Sequence, residues 1–403
     1  MKKSLVALAA LAATSAFAQS TVTIYGQADA AYTSIKSGAN KQTGLFGAGR
    51  GSNFVGFMGT EDLGGGLKAN FKLEAGYNID NGTGAASNTN NQLNGGPVTI
   101  TGASATAATT GATGDRYSIG GAQGLTFNRW SYVGVSGGFG ELRAGREYTP
   151  TFQAVLGPDT TGANGVQNTL FQTLYLGQTN SHATATSASN GVSYESPSFN
   201  GLKVKIQTFF GENTSPTAAN STLQPQKAGD GNSYHVSYAA GKLSAGFGAQ
   251  TTKGTAVAAG TSGTAVPGKY DVSTAYVKYD LGMALLTAGQ TTEKLVSAAD
   301  GNLKNKSTVI GASVPVSGAL KINGTYTTSK YSDDGVVTGK ASQLGLQALY
   351  SLSKRTDLYA NYAVTDNKIG KLYGIVNGSG RPTTVASDGD KTTGYQVGVR
   401  HNF

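Results

Sequence analysis

Hydrophobic and polar residues alternate along several stretches of this chain with a period of two, the spacing that sends successive side chains to opposite faces of a β-strand. Over residues 67–77 one face carries Leu67, Ala69, Phe71, Leu73, Ala75 and Tyr77, and the other carries Lys68, Asn70, Lys72, Glu74 and Gly76. The pattern returns at Leu202, Val204 and Ile206 against Lys203, Lys205 and Gln207, and at Leu243, Ala245, Phe247 and Ala249 against Ser244, Gly246, Gly248 and Gln250. Nearer the C-terminus, Ser342, Leu344, Leu346, Ala348 and Tyr350 oppose Gln343, Gly345 and Gln347. The last segment sets Tyr395, Val397, Val399, His401 and Phe403 against Gln396, Gly398, Arg400 and Asn402. Each of these segments reads as a strand with one apolar and one polar wall.

The connections carry a second pattern. Short turn signals lie at residues 61–66, 137–140, 196–201, 240–242, 280–282, 315–318 and 353–356, and between them run longer polar stretches at about 33–52, 80–124, 148–189, 213–231, 254–269, 294–306, 331–340 and 367–391. Seven short and eight long connections in strict alternation imply sixteen antiparallel strands. A soluble sandwich would bury the apolar walls between two sheets, but it does not call for lysines and arginines along the second face or for every long loop at one end. A closed transmembrane barrel accounts for both, with lipid outside, water inside and no free sheet edge. The expected fold is therefore all-β, a 16-stranded antiparallel transmembrane β-barrel forming one domain over residues 19–403. Tyr77, Tyr279, Tyr350, Tyr395 and Phe403 fall near strand ends, where aromatic girdles meet the membrane interface.

The first residues depart from this pattern. Lys2 and Lys3 precede an apolar run from Leu5 to Leu11 and a small-x-small site at Ala16-Phe17-Ala18, which reads as a signal peptide over residues 1–18 with the mature chain starting at Gln19. Composition fits an exported strand protein: 59 of 403 residues are Gly, and only 13% are charged, about half of ordinary usage. With no Cys, disulfide frameworks, thiolate metal sites and cysteine nucleophiles are excluded. Without Lys2 and Lys3 the charge is 31 − 2 = 29 basic against 22 acidic residues, or +7. These charges are scattered singly along alternating strands, not gathered into the compact basic patch of a nucleic-acid binder.

Motifs that could carry chemistry lack their context. Gly134-Val-Ser136-Gly-Gly138 has the spacing of a nucleophile elbow, but Gly-Phe-Gly-Glu and another strand follow it instead of a helix. Gly47-x-Gly49-x-Gly51 is not followed by a phosphate-binding G-K-[ST]. His182, His235 and His401 are far apart, and the carboxylate pairs Glu61-Asp62 and Asp333-Asp334 fall in a turn and a loop. No enzymatic reaction, cofactor or metal is expected.

Several tags, in order along the chain, point to one family: Val22-Thr-Ile-Tyr-Gly26, Gly59-Thr-Glu-Asp-Leu-Gly64, Gly65-Gly-Leu-Lys68, Phe127-Asn-Arg129, Gly137-Gly-Phe-Gly140, Gly145-Arg146, Tyr194-Glu-Ser-Pro-Ser-Phe199, Leu352-Ser-Lys-Arg-Thr-Asp-Leu-Tyr359 and Gly398-Val-Arg-His-Asn-Phe403. With them the chain resembles the general porins of β-proteobacteria, trimeric sixteen-stranded outer-membrane channels. The resemblance implies a homotrimer in the outer membrane, in contact with lipopolysaccharide, that passes ions and small hydrophilic solutes. It implies that Phe403 is read by the barrel-assembly machinery, and that the third long loop, from Tyr148 to about Ser189, folds into the lumen and narrows it. The second loop, uncharged from Asn81 to Gly114, departs from the family pattern in its length and composition.

Strongly anion-selective relatives place arginines on the wall opposite the constriction loop. Here Arg129 matches one such position, while Phe54 and about Ser187 stand where others are expected, and Glu74 matches an accompanying acid. The expected pore-lining set is Lys72, Arg129 and Arg143, opposed by Glu74, Glu147 and Asp159, with a modest preference for anions. A substrate-specific channel of the same fold, or an exported adhesin or lectin, remains an alternative.

Overall fold

The computed structural model describes residues 21–85, 124–176, 183–211, 227, 229–257, 265–297, 301–370, 373–375 and 389–403. Its strands are β1 (Thr21–Ser37), β2 (Asn40–Gly47), β3 (Phe54–Gly64), β4 (Leu67–Gly76), β5 (Trp130–Gly137) and β6 (Gly140–Tyr148). They continue with β7 (Ser187–Glu195), β8 (Leu202–Phe209), β9 (Gly231–Ala240), β10 (Leu243–Val257), β11 (Ala265–Asp280) and β12 (Leu285–Ser297). The last are β13 (Gly301–Pro315), β14 (Leu320–Asp333), β15 (Val336–Ser351), β16 (Thr356–Ile369) and β17 (Lys391–Asn402). Between β6 and β7 the described residues include the short helices α1 (Pro150–Val155) and α2 (Leu170–Thr173) and a 3-10 turn at Ala183–Ala185.

Every pairing is antiparallel, and β1 pairs with β17, so the sheet closes on itself. Seventeen segments make sixteen staves because β2 and β3 share one: β2 pairs with the upper half of β1 from Ala30 to Ser37, and β3 with its lower half from Thr21 to Gln27. At the seam the backbones of Gly26 and Phe403 exchange two hydrogen bonds of 3.0 Å. A Cβ at Gly26 would stand 2.4 Å from the Phe403 ring, so the terminal aromatic packs where the barrel closes.

The alternation read from the sequence sorts the walls. Ile206, Phe247, Leu344, Leu346, Tyr350, Tyr395 and Val397 are exposed on the outer face, while Lys205, Gln207, Gln250, Gln343, Gln347 and Gln396 are buried inside. On β4 the rule holds less far, because Ala75 is fully covered and Tyr77 lies just past the strand, its hydroxyl donating to the Gln27 carbonyl at 3.1 Å. All seven short turns fall at one rim.

At the other rim, four of the expected long loops are largely strand. The stretch 33–52 is a hairpin turning at residues 38–39, with Gly38 in the left-handed region at φ +54°, and its second strand runs to Gly47. Residues 254–269, 294–306 and 331–340 extend their hairpins to Val257↔Ala265, Ser297↔Gly301 and Asp333↔Val336. Threonine, serine and lysine make these stretches read as loop, yet their backbones stay paired as the hairpins extend toward this rim. Residues 86–123, which hold most of the uncharged second loop, and residues 1–20, which hold the expected signal peptide, lie outside the described residues.

Candidate functional site

Where stave two breaks, residues 48–53 turn inward. The buried Asp29 carboxylate of β1 accepts the backbone N–H groups of Gly49 (3.2 Å), Arg50 (2.8 Å) and Gly51 (2.7 Å), and also the Tyr359 hydroxyl. Successive N–H groups in such a turn form a concavity that favours an anion. The Gly47-x-Gly49-x-Gly51 run is thus a cradle for the protein's own carboxylate. It needs glycine, since a Cβ at Gly49 would meet the Tyr359 hydroxyl at 2.3 Å and one at Gly51 the Gln27 amide at 2.3 Å. The turn presents Arg50 against Gly162 of the loop between β6 and β7.

That loop lies inside the barrel, held by inward-facing side chains of successive strands. Thr151 Oγ1 meets Ser233 Oγ at 2.8 Å, and Thr287 Oγ1 donates to the Pro158 carbonyl at 2.6 Å. Asn305 Nδ2 and Ser307 Oγ both donate to the Gln172 carbonyl at 2.8 Å, and Gln343 Nε2 donates to the Asn168 carbonyl at 3.0 Å. The Val166 N–H donates to Gln396 Oε1 at 2.9 Å. The loop therefore follows the wall from β9 to β17. Apolar contacts add to these bonds: Phe152, Val155, Leu170, Leu174 and Leu176 pack on Tyr270, Val272 and Leu295, and Val166 packs with Ile35, Ala363 and Ile375. Burial, followed by the nearby Tyr331 and Glu293, raises the Tyr175 phenol above its ordinary value, and burial raises that of Tyr373, whose ring centroid lies 4.8 Å from that of Tyr175 with the planes tilted by 55°.

The wall from β3 to β8 carries two connected groups of charges, apart from the Arg400–Asp357 pair that joins β16 and β17. Glu74, 3% exposed, binds Lys72 Nζ at 2.8 Å and Arg129 Nε at 3.1 Å, and accepts the Tyr25 hydroxyl at 2.8 Å. Lys72 stands 4.4 Å from the centroid of Trp130, and the Arg129 guanidinium lies 4.9 Å from that of Phe54 and 5.8 Å from that of Tyr148. Such cation–π contacts hold the cations in place. A second group forms around Glu147, which binds Arg143 Nη1 at 3.2 Å and Lys205 Nζ at 2.6 Å and accepts the Ser193 hydroxyl. Arg143 also reaches Glu141 and, at 3.3 Å, Glu195, which Lys203 joins at 3.0 Å.

Lys72, Glu74 and Arg129 thus come together, as do Arg143 and Glu147. Asp159 stands apart from both groups: its carboxylate caps its own loop, accepting from Thr161 N (3.1 Å), Thr161 Oγ1 (2.8 Å) and Gly162 N (2.6 Å), with Arg50 and Lys278 within electrostatic reach. Phe54 serves as the platform for Arg129, and Ser187 is buried opposite Tyr148. Sequence reasoning passed over Lys203 and Lys205 as site residues, although they sit on the polar wall of a clean alternation. It also passed over Arg50, which has no alternation around it to give its direction.

A profile of the Gram-negative porin family matches residues 4–371. The chain belongs to that family. Outer membrane porin protein 32 of Delftia acidovorans is 33% identical to this porin over 410 residues, covering 100% of both chains. Among solved structures, the anion-selective porin from Comamonas acidovorans superposes with a TM-score of 0.72 at 29% identity, over 96% of this chain and 100% of that one. The trimer form of OmpT from Vibrio cholerae shares the fold at a TM-score of 0.62 and 16% identity, over 95% of this chain and 99% of the other. The porin is therefore an outer-membrane β-barrel channel whose relatives are channels, not enzymes.

Proposed function

We propose that this porin is a general diffusion channel for ions and small hydrophilic solutes with a modest preference for anions, exported by a signal peptide at residues 1–18 and assembled as a homotrimer. The observation that carries this reading is the division of the inner wall. One side is covered by the loop, and the other carries ion pairs that join the five cations Lys72, Arg129, Arg143, Lys203 and Lys205 to the four carboxylates Glu74, Glu141, Glu147 and Glu195, with Arg146 beside them. Low-dielectric walls focus such a field on passing ions. Arg50, presented from the broken stave against Gly162, adds a guanidinium on the loop side of the lumen, near Asp159 and Asp357. Near balance on the wall makes the preference modest. Phe403 serves as the mark read by the barrel-assembly machinery, and the apolar outer face sits among outer-membrane lipid and lipopolysaccharide. No reaction or cofactor is assigned.

The substrate-specific alternative draws on the aromatics of the inner wall, Tyr25, Phe54, Trp130, Tyr132 and Tyr148. Their rings are engaged by the wall's own cations, Lys72, Arg129 and Arg143, which favours the general channel over a track for sugar rings. Swelling of porin-containing liposomes in unrelated sugars and amino acids tests this. Rates ordered by solute size support the general channel, and one solute far above its size class supports the specific one.

A further inference from the structure

On the outside of the barrel, Lys306, Lys330 and Lys340 stand directly opposite one another across β13, β14 and β15. Lys368 joins them beside the irregularity where β16 shifts register against β15. The four lysines line one open cavity of about 210 Å³ together with Thr308 and Thr328. They point away from the lumen: all four are exposed, while the intervening Ser307, Ser329 and Ala341 are buried inside. Lys294 and Lys304, exposed and opposite each other on β12 and β13, extend the basic face.

Like charges directly opposite on neighbouring strands destabilise a sheet, and Lys306, Lys330 and Lys340 are so placed. Among the described residues none of the four lysines has a carboxylate partner within 4.0 Å. Asp366, on the same face of β16, lies one row lower, opposite Ser342 and Lys391. The height of the row is informative. On β15, Lys340 is ten residues from Tyr350, whose ring is exposed at the short-turn rim. At ~3.4 Å per residue and a tilt of ~40° that is about 26 Å, against an apolar band of roughly 25 Å in such barrels. Between the two ends the face shows Ile310, Tyr326, Leu344 and Leu346. The lysines therefore stand at the upper edge of the hydrocarbon, on the rim opposite the short turns.

We propose that the outer face of β13–β16 binds the phosphate groups of a phosphorylated outer-leaflet lipid, with its acyl chains lying along Ile310, Tyr326 and Leu344. This rests on the outer-membrane placement and gives a residue-level site to the lipid contact. The phosphates neutralise the lysine row, and the apolar strip below takes the chains, so headgroup and tail are recognised together.

Native mass spectrometry of the detergent-solubilised porin, titrated separately with bis-phosphorylated lipid A, dephosphorylated lipid A and inorganic phosphate, tests the proposal. Bis-phosphorylated lipid A should bind, weaken with added salt, and lose roughly a hundredfold in affinity in the triple variant Lys306→Gln, Lys330→Gln, Lys340→Gln, taking about fivefold per lysine. Equal binding of the dephosphorylated lipid, or an unchanged triple variant, would overturn it. Inorganic phosphate that displaces lipid A at millimolar concentration would reduce the site to a simple ion site and overturn the lipid assignment. Conductance of the triple variant should match the parent, which shows that it is folded; if it does not insert, Lys330→Gln alone, with about a fivefold loss expected, decides. A parent without conductance would instead fail the channel reading.

Discussion

Arginine at Leu346 measures how firmly the outer wall is committed to lipid. Leu346 is 41% exposed on the outer face of β15, in register with Gly324 and Tyr362. It lies four residues above Tyr350 and six below Lys340, which at ~3.4 Å per residue and ~40° tilt is about 10 Å from one edge of the band and 16 Å from the other. That places it within about 3 Å of the midplane, where a lipid-facing arginine costs ~2–4 kcal/mol. The folding equilibrium should fall by roughly 30- to 900-fold. Ser342, on the same face but only two residues below Lys340, should accept arginine at a cost of ~0–1 kcal/mol. Urea titration of refolding into lipid vesicles, with the heat-resistant folded band as readout, gives both values. Equal costs at the two positions, or a larger one at Ser342, would refute the outward direction of this wall or the height assigned to it.

Three further outcomes follow from the inner wall. Asp29→Ala removes the acceptor of three backbone N–H groups and a tyrosine hydroxyl, so the urea midpoint should fall by an amount equivalent to about 3 kcal/mol or more; an unchanged midpoint would mean the cradle is not formed. Glu74→Gln frees Lys72 and Arg129 from their shared carboxylate and should move the reversal potential further toward anions, and a move toward cations would contradict the wall's role. The double variant Asn305→Ala, Ser307→Ala unpins the Gln172 carbonyl and should raise single-channel conductance or its noise, whereas traces identical to the parent would show that these bonds do not hold the loop.

The barrel was legible in the sequence because alternation states a direction for every side chain. Gln343 and Gln347 inside and Leu344 and Leu346 outside follow directly from it. The loop lengths were less legible: where a hairpin nears the rim its outer face no longer calls for apolar residues, so stretches such as Asn302 to Lys306 read as polar loop although they pair in a sheet. The site was legible only where it lies on strands. Lys72, Glu74 and Arg143 sit on regular walls, and Glu141 lies two residues from Arg143 on the same strand; Glu147 follows a register irregularity, and Glu195 and Lys205 are distant in the chain and are joined to the group only by cross-strand register. Arg50 and Asp159 lie in irregular turns, where no periodicity fixes direction. Inward apolar residues such as Val272, Leu295 and Ile35 look like breaks in the pattern, and their reason appears only once the loop is seated on them.

The most direct test of the account is the zero-current potential of the porin in a planar bilayer across a tenfold potassium chloride gradient, for the parent and for Arg129→Ala. With a small excess of cations over carboxylates on the open wall, the parent should show an anion-side potential well short of the ~59 mV limit for a monovalent ion. The potential should shrink as salt approaches 1 M, where the screening length is ~3 Å, and Arg129→Ala should shift it toward cations. A cation-selective parent, or an Arg129→Ala variant with an unmoved potential, would contradict the proposed constriction.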